Sequence, residues 1–231
     1  MNASIEALID RQLTRRQLLE RARGPKPVAA GLAPSPLQVI TISREAGSGG
    51  RPLAERLAAR LQFELVDRQI LDLLAQNTGA RERLIASLDE HARSAIDMWV
   101  EGILTGRYID RREYAHELCR SVTALAEHGH AVIIGRAANV ILGPRGGLHV
   151  RVTAPREFRV KALMEHLALS AHEADLRIKK LDDERRQFYT EILHADVDNP
   201  TDYHLTINTG RVPLDTAEEL VLIAWNRYLA V

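Results

Sequence analysis

Cysteine is almost missing from this 231-residue chain: the single thiol, Cys119, has no internal partner, so no intramolecular disulfide can staple the fold. That usage suits a reducing compartment, and a cytoplasmic location is expected. Net charge is missing as well, because 31 Lys and Arg residues balance 31 Asp and Glu residues. Such a chain has no global field for gripping nucleic acid, so no nucleic-acid partner is expected and any anion site must be local. No apolar run approaches the roughly 20 residues that cross a bilayer. The N-terminus carries Glu6, Asp10 and Arg11 where a secretion signal would need an apolar core, and no membrane partner is expected. The nine histidines show no metal-ligand spacing; His128 and His130 flank Gly129 in what reads as a solvated turn. Internal repeats and low-complexity segments are also lacking.

What is present fits one well-buried domain with an appendage: 45% of residues are hydrophobic and 27% charged. Residues 1–36 read as the appendage. Ile5, Leu8, Ile9 and Leu13 stand at helical spacing, and Thr14 with Gln17 could open a second short helix. Gly24-Pro25-Lys26-Pro27, Gly31, Pro34 and Pro36 then form a linker that cannot continue a helix. This arm is expected to pack on the domain or on a sister subunit, the latter giving a homodimer.

From residue 37 short β-rich runs alternate with helical segments. Strands are expected at 39–42, 63–66, 131–134, 148–153 and 204–207. Between 68 and about 128 the pattern is helical, with breaks near Gly79 and Gly102 to Gly106. Ser170 and Glu173 form a capping-box pair ahead of a charged helix running to about Tyr189, and Asp215 with Glu218 is expected to cap the last helix. Such alternation implies a parallel sheet covered on both faces.

The feature that carries chemistry is strand, then Ser43-Arg44-Glu45-Ala46-Gly47-Ser48-Gly49-Gly50-Arg51, then helix. Glycines at such a turn allow positive φ and close backbone approach, and the helix N-terminus adds unpaired N–H groups and about half a positive charge. Gly47, Ser48, Gly49, Gly50 and Arg51 are therefore candidates for holding the phosphates of ATP. Against the strict pattern G-x-x-x-x-G-K-[ST], Glu45 replaces the first glycine, Arg51 the lysine and Pro52 the Mg²⁺-binding hydroxyl residue. Arg51 can hold a phosphate as a bidentate fork. Ser48, Glu45 and Asp67 are the oxygens available to Mg²⁺, with Ser48 the named candidate.

Several separated segments, in this order, resemble the cytidylate kinase-like family of P-loop nucleoside monophosphate kinases: Ile40 to Arg51, Asp67-Arg68, Val132 to Ala137, Ala154-Pro155 to Arg159, Asp182-x-x-Arg185-x-x-Phe188-Tyr189, and Asp202 to Thr209. The resemblance implies a three-layer sandwich around a five-stranded parallel sheet, a helical monophosphate-binding insert at about 68–118, and a lid at about 170–200 within a kinase domain of residues 37–231. It implies transfer of the ATP γ-phosphate to CMP, dCMP or a related acceptor. Arg136 would grip the acceptor monophosphate, with Asp67 and Arg68 beside it, and Arg185 would bring a lid cation to the migrating group. Arg159, Asn208 and Thr209 would lie near the donor nucleotide. Where the family has an acid after the Gly-Arg pair, this chain has Ala137, which weakens the expectation of pyrimidine selectivity. A kinase of a non-nucleotide small molecule and an inactive nucleotide-binding regulator remain alternatives.

Overall fold

The structure, a computed structural model, describes residues 2–23, 37–105, 112–143 and 146–229. Its centre is a five-stranded sheet made of β1 (Val39–Arg44), β2 (Glu64–Val66), β3 (Ala131–Ile134), β4 (Leu148–Thr153) and β5 (Leu205–Asn208). Strand order is β2-β3-β1-β4-β5 and every pairing is parallel, so all carboxyl ends open on one edge. That edge is where open α/β sheets bind ligands.

The β-branched runs predicted to be strands are strands because both faces are covered. Ile40, Ile42, Val132, Ile134, Val150 and Val152 face α2 (Gly50–Leu61) and α10 (Leu214–Tyr228). Val39, Val66, Ala131 and Ile133 face the other layer. That layer holds α1 (Asn2–Arg23), α3 (Arg68–Gln76), α4 (Thr78–Ala86), α5 (Glu90–Leu104), α6 (Arg112–His128) and α7 (Ala138–Leu142). Helices α8 (Arg156–Leu167) and α9 (Ala171–Leu193) pack on each other, and Tyr189, Ile192 and Leu193 seat the end of α9 in this second core. Helices on both sides of a five-stranded parallel sheet make the expected three-layer P-loop sandwich.

Several boundaries differ from the sequence reading, each for a local reason. The arm forms one helix, α1, rather than two, and Thr14 lies inside it. Ile5, Leu8 and Ile9 are fully buried against α3, α4 and α6 of the same chain, so the arm packs on its own domain. Polar ties add to this: Arg11 Nε donates to Glu64 at 2.7 Å, and Arg15 Nη2 donates to the Gln62 carbonyl at 2.7 Å. The Gly/Pro linker at 24–36 lies outside the described residues. The first break in the helical stretch falls at Asn77, not Gly79, because the Asn77 side chain caps α4 through the Ala80 N–H. Gly102 continues α5, and Gly106 is outside the described residues. The Ser170–Glu173 capping box is present, but α9 runs beyond Tyr189 to Leu193. Pro213, not Asp215, precedes the last helix, and Asp215 pairs with Arg56 instead. Helix α7 has no counterpart in the sequence reading.

Candidate active site

The glycine-rich turn leaves β1 and enters α2 at Gly50, with Gly49 at the N-cap in left-handed geometry (φ 75°) and no side chain capping the helix. Uncapped N–H groups at the start of a 12-residue helix suit an anion. Gly47 also takes positive φ, at 79°, and a Cβ there would stand 2.6 Å from the Arg159 carbonyl oxygen. The glycines are thus required twice, by backbone conformation and by the close approach of α8.

Ser48 is fully buried, and its hydroxyl donates to the carbonyls of Glu45 at 2.9 Å and Val152 at 3.1 Å. Thr209, also buried, donates to the Ser48 carbonyl at 2.7 Å and to Thr153 at 3.1 Å. The Asn208 side chain accepts from the Gly210 N–H at 3.0 Å. Ser48 and Thr209 brace the turn against β4 and β5, and their side chains face protein rather than an open base site, whereas Asn208 is half-buried and bonds only within its own loop. Arg159 is likewise buried: its guanidinium donates to Ala154 at 3.0 Å, to Ala46 at 3.4 Å and to Asp182 at 2.5 Å.

Asp182 is the hub of the contacts that join the turn, α8 and α9. Its carboxylate, from α9, accepts from the Ala46 N–H of the turn at 2.8 Å, from Arg159 at 2.5 Å and from Arg185 at 3.1 Å. Arg185 also donates to the Arg44 carbonyl at 3.2 Å. Burial, followed by the charges of Arg151 and Arg68, lowers the pKa of Arg185 against the opposing pull of Asp182.

Arg136 stands at the end of β3 in three consecutive left-handed residues, Gly135 (φ 80°), Arg136 (φ 51°) and Ala137 (φ 50°). Non-glycine residues adopt this region at a cost of about 1–3 kcal/mol each, and such strain gathers at functional sites. The turn aims Arg136 across the sheet edge, where its centre lies 4.5 Å over the Phe188 ring and its Nε donates to Asp72 at 2.6 Å. A second Arg136–Asp72 bond completes a bidentate pair, and the Tyr114 hydroxyl donates to the same carboxylate at 2.6 Å. Burial works against ionisation of Asp72, but the bonds from Arg136 and Tyr114 prevail and hold its carboxyl below the usual range. Arg68 reaches the same carboxylate at 3.6 Å. Asp67 caps α3 by accepting from the N–H groups of Gln69 and Ile70, and it also accepts both terminal nitrogens of Arg51 at 3.3 Å. Arg51 is exposed and bonds Glu55 at 3.0 Å.

Between these elements lies a cleft at the carboxyl ends of β1 and β3, lined by Arg44, Arg68, Arg136, Arg185, Phe188 and the single acid Glu184. Arg68, Arg136 and Arg185 are therefore brought together, with the turn and Arg51 on the adjoining side. Sequence reasoning assigned no role to Arg44, Asp72, Tyr114 or Phe188, although Arg44 directly precedes the glycine-rich turn and Phe188 stands in the Asp182 to Tyr189 segment.

The oxygens named for Mg²⁺ do not fit as its direct ligands in this conformation. Ser48 is enclosed, Asp67 caps a helix and pairs with Arg51, and Glu45 accepts from the Ala154 N–H at 3.0 Å and lies 3.5 Å from Arg159. Among the described residues no group of three or more His, Cys, Asp or Glu could hold a metal ion. No described helix is long and apolar enough to cross a membrane. Trp99, on α5, donates its indole N–H to the Ile141 carbonyl at 2.8 Å.

Known proteins resemble this chain over most of its length. A cytidylate kinase of Halobacterium salinarum is 26% identical over 193 residues, spanning 83% of this chain and 91% of its own length. One of Haloarcula marismortui is 26% identical over 174 residues, spanning 75% and 81%. An uncharacterized protein of Eubacterium ventriosum shares the fold, with a TM-score of 0.66 at 22% identity over 83% of this chain and 99% of that one. The cytidylate kinase-like family itself matches residues 39–211, from β1 past β5. The chain is a P-loop kinase that belongs to the cytidylate kinase-like family.

Proposed function

We propose that this kinase transfers the γ-phosphate of ATP to a nucleoside monophosphate, with CMP or dCMP the acceptors favoured by its relatives. The observation that carries the reading is one continuous basic edge. The glycine-rich turn with Arg51 adjoins a cleft lined by Arg68, Arg136 and Arg185 at the carboxyl ends of parallel strands. Phosphoryl transfer needs little covalent work from the protein: two phosphates must be held in line, with cations on the oxygens that gain charge.

On this reading the turn and Arg51 hold the donor phosphates. The Arg51–Asp67 pair is an exposed contact of low worth, so phosphate can displace it readily. Arg136, pre-set by Asp72, Tyr114 and Phe188, holds the acceptor phosphate, and Arg68 stands at the mouth. Arg185, carried on α9, meets the group in flight, and α9 serves as the lid over residues of about 170–200. Helices α3 to α6 supply the acceptor insert at about 68–118. Ser48, Asn208, Thr209 and Arg159 act by fixing the turn and its surroundings. The protein's own Ser48, Glu45 and Asp67 oxygens do not fit Mg²⁺ as direct ligands.

The test is a coupled assay of ADP formation against a panel of monophosphates. Turnover that no monophosphate raises above the ATP-only background would end the proposal. A nucleotide-binding regulator is the second reading, favoured by the engaged Ser48, Glu45 and Asp67 oxygens. It expects stabilisation of the fold by ATP without turnover.

A further inference from the structure

Four arginines line the cleft, and three of them already have a carboxylate. Arg136 is paired bidentately with Asp72, Arg68 lies 3.6 Å from that same group, and Arg185 donates to Asp182 at 3.1 Å. The fourth, Arg44, ends β1 and turns its side chain into the cleft. Among the described residues its guanidinium has no hydrogen bond and no ion pair, while Arg185 and Arg51 add like charge from two sides.

The fold also clears a path for this one side chain. A Cβ on Gly50, at the start of α2, would lie 2.5 Å from the Arg44 Cβ, and one on Gly135 would lie 2.5 Å from its Nη1. Gly50 belongs to the donor turn and Gly135 to the end of β3, so Arg44 passes between the two halves of the site. An unpaired guanidinium in a confined, basic cleft is unfavourable for folding. Burial first, and Arg185 second, push its pKa down to about 9. A cation held under those conditions, with room made for it by two separate elements, is matched to an anion that the folded chain does not itself supply.

We infer that Arg44 is a phosphoryl-binding residue: its guanidinium receives a phosphate dianion at the junction of the glycine-rich turn and the Arg136 turn. The shared chemistry is a phosphoryl group with at least two free oxygens; its source is either the acceptor's phosphate or the γ-phosphate of the donor. The choice between sources rests on the kinase reading above, whereas phosphate binding by Arg44 does not.

The test compares the full-length protein with Arg44→Met and Arg44→Lys, using inorganic phosphate, ATP and CMP as probes. Inorganic phosphate is expected to raise the melting temperature of the unchanged protein, and Arg44→Met to weaken its binding by about 10–100-fold, the worth of one charged hydrogen-bonding pair. Without ligand, Arg44→Met is expected to melt at or above the original temperature, because it removes a part-buried charge that sits among like charges. A residue that only packed the cleft would behave in the opposite way. In steady state, a raised KM for CMP with unchanged KM for ATP assigns the acceptor phosphate. A lowered kcat with both KM values unchanged assigns the group in flight. Should Arg44→Met fail to fold, Arg44→Lys decides: weaker phosphate binding at an unchanged melting temperature supports the inference. Undiminished phosphate binding in a folded variant overturns it, as does the absence of any phosphate effect on the unchanged protein. If phosphate binding depends on Arg44 but no monophosphate is turned over, the acceptor reading fails and this one stands.

Discussion

Replacing Asp182 by Ala removes one acceptor from three donors at once: the Ala46 N–H in the glycine-rich turn, Arg159 on α8 and Arg185 on α9. Arg159 is the most exposed to that loss in energetic terms, because its side chain is only 9% accessible and cannot turn to water. Breaking a buried pair by deleting one partner costs about 3–5 kcal/mol. Arg159 keeps Glu45 at 3.5 Å and the carbonyls of Ala154 and Ala46, which places the expected loss near the lower end. For a chain of this size about 3 kcal/mol corresponds to a melting temperature lower by roughly 6–12 °C. Asp182→Asn keeps the shape and one accepting oxygen, so it is expected to fall between the two. The control is Asp183→Ala, one residue along the same helix, whose partner Arg186 is a solvent contact at 3.2 Å. That pair is worth about 0–1 kcal/mol and its loss should hardly register. Thermal melting followed by circular dichroism reads all three variants. If Asp182→Ala melts within 2 °C of the unchanged protein, on the order of experimental scatter at this size, or no lower than Asp183→Ala, the carboxylate is not the hub that its contacts imply.

Two further outcomes follow from contacts elsewhere. Arg51→Lys cannot keep both Glu55 and Asp67, nor offer a fork to phosphate; kcat/KM is expected to fall about 10-fold with little change in melting, and unchanged activity would show that a point charge suffices. His149 lies in β4, bonded to Thr41 of β1 at 2.8 Å, where burial and then the neighbouring His204 push its pKa from 6.5 down to about 4. The unfolded chain therefore binds a proton that the folded chain refuses, so stability is full above about pH 6.5 and is lost as pH falls, by about 3 kcal/mol at pH 4. Denaturant titrations across that window should show the slope, and His149→Gln should reduce it to the part left by His204, whose pKa burial also lowers. Asp72, also held low, adds to the loss only below its ordinary value of 3.8 and does not obscure the test.

The parts of the site that were legible in the sequence are those set by a residue's own backbone or its near neighbours. Gly47 and Gly49 had to be glycine because their φ values are 79° and 75°, and the capping box at Ser170 needs only a residue three positions on. Asp182 and Arg185, three positions apart in the charged segment, fall on one helix face and are bonded at 3.1 Å. Nothing within α9, however, announces that the same carboxylate reaches an N–H in the turn after β1. Neither does spacing reveal that Ser48, which resembles an open ligand in the motif, turns its hydroxyl into the fold.

Arg44 shows why such facts stay hidden in one chain of letters. An arginine after a strand is ordinary, and so are a glycine opening a helix and a glycine closing another strand. Their meaning arises only when Gly50 and Gly135 are seen to flank the same side chain, each too close to it to carry a Cβ. Besides the phosphate approach proposed for it, the motif glycine at 50 therefore leaves room for the Arg44 side chain. Substituting either glycine should disturb Arg44 while leaving the sequence's strand and helix signals intact. The local code specifies where the turn lies; the fold decides which cation the turn admits.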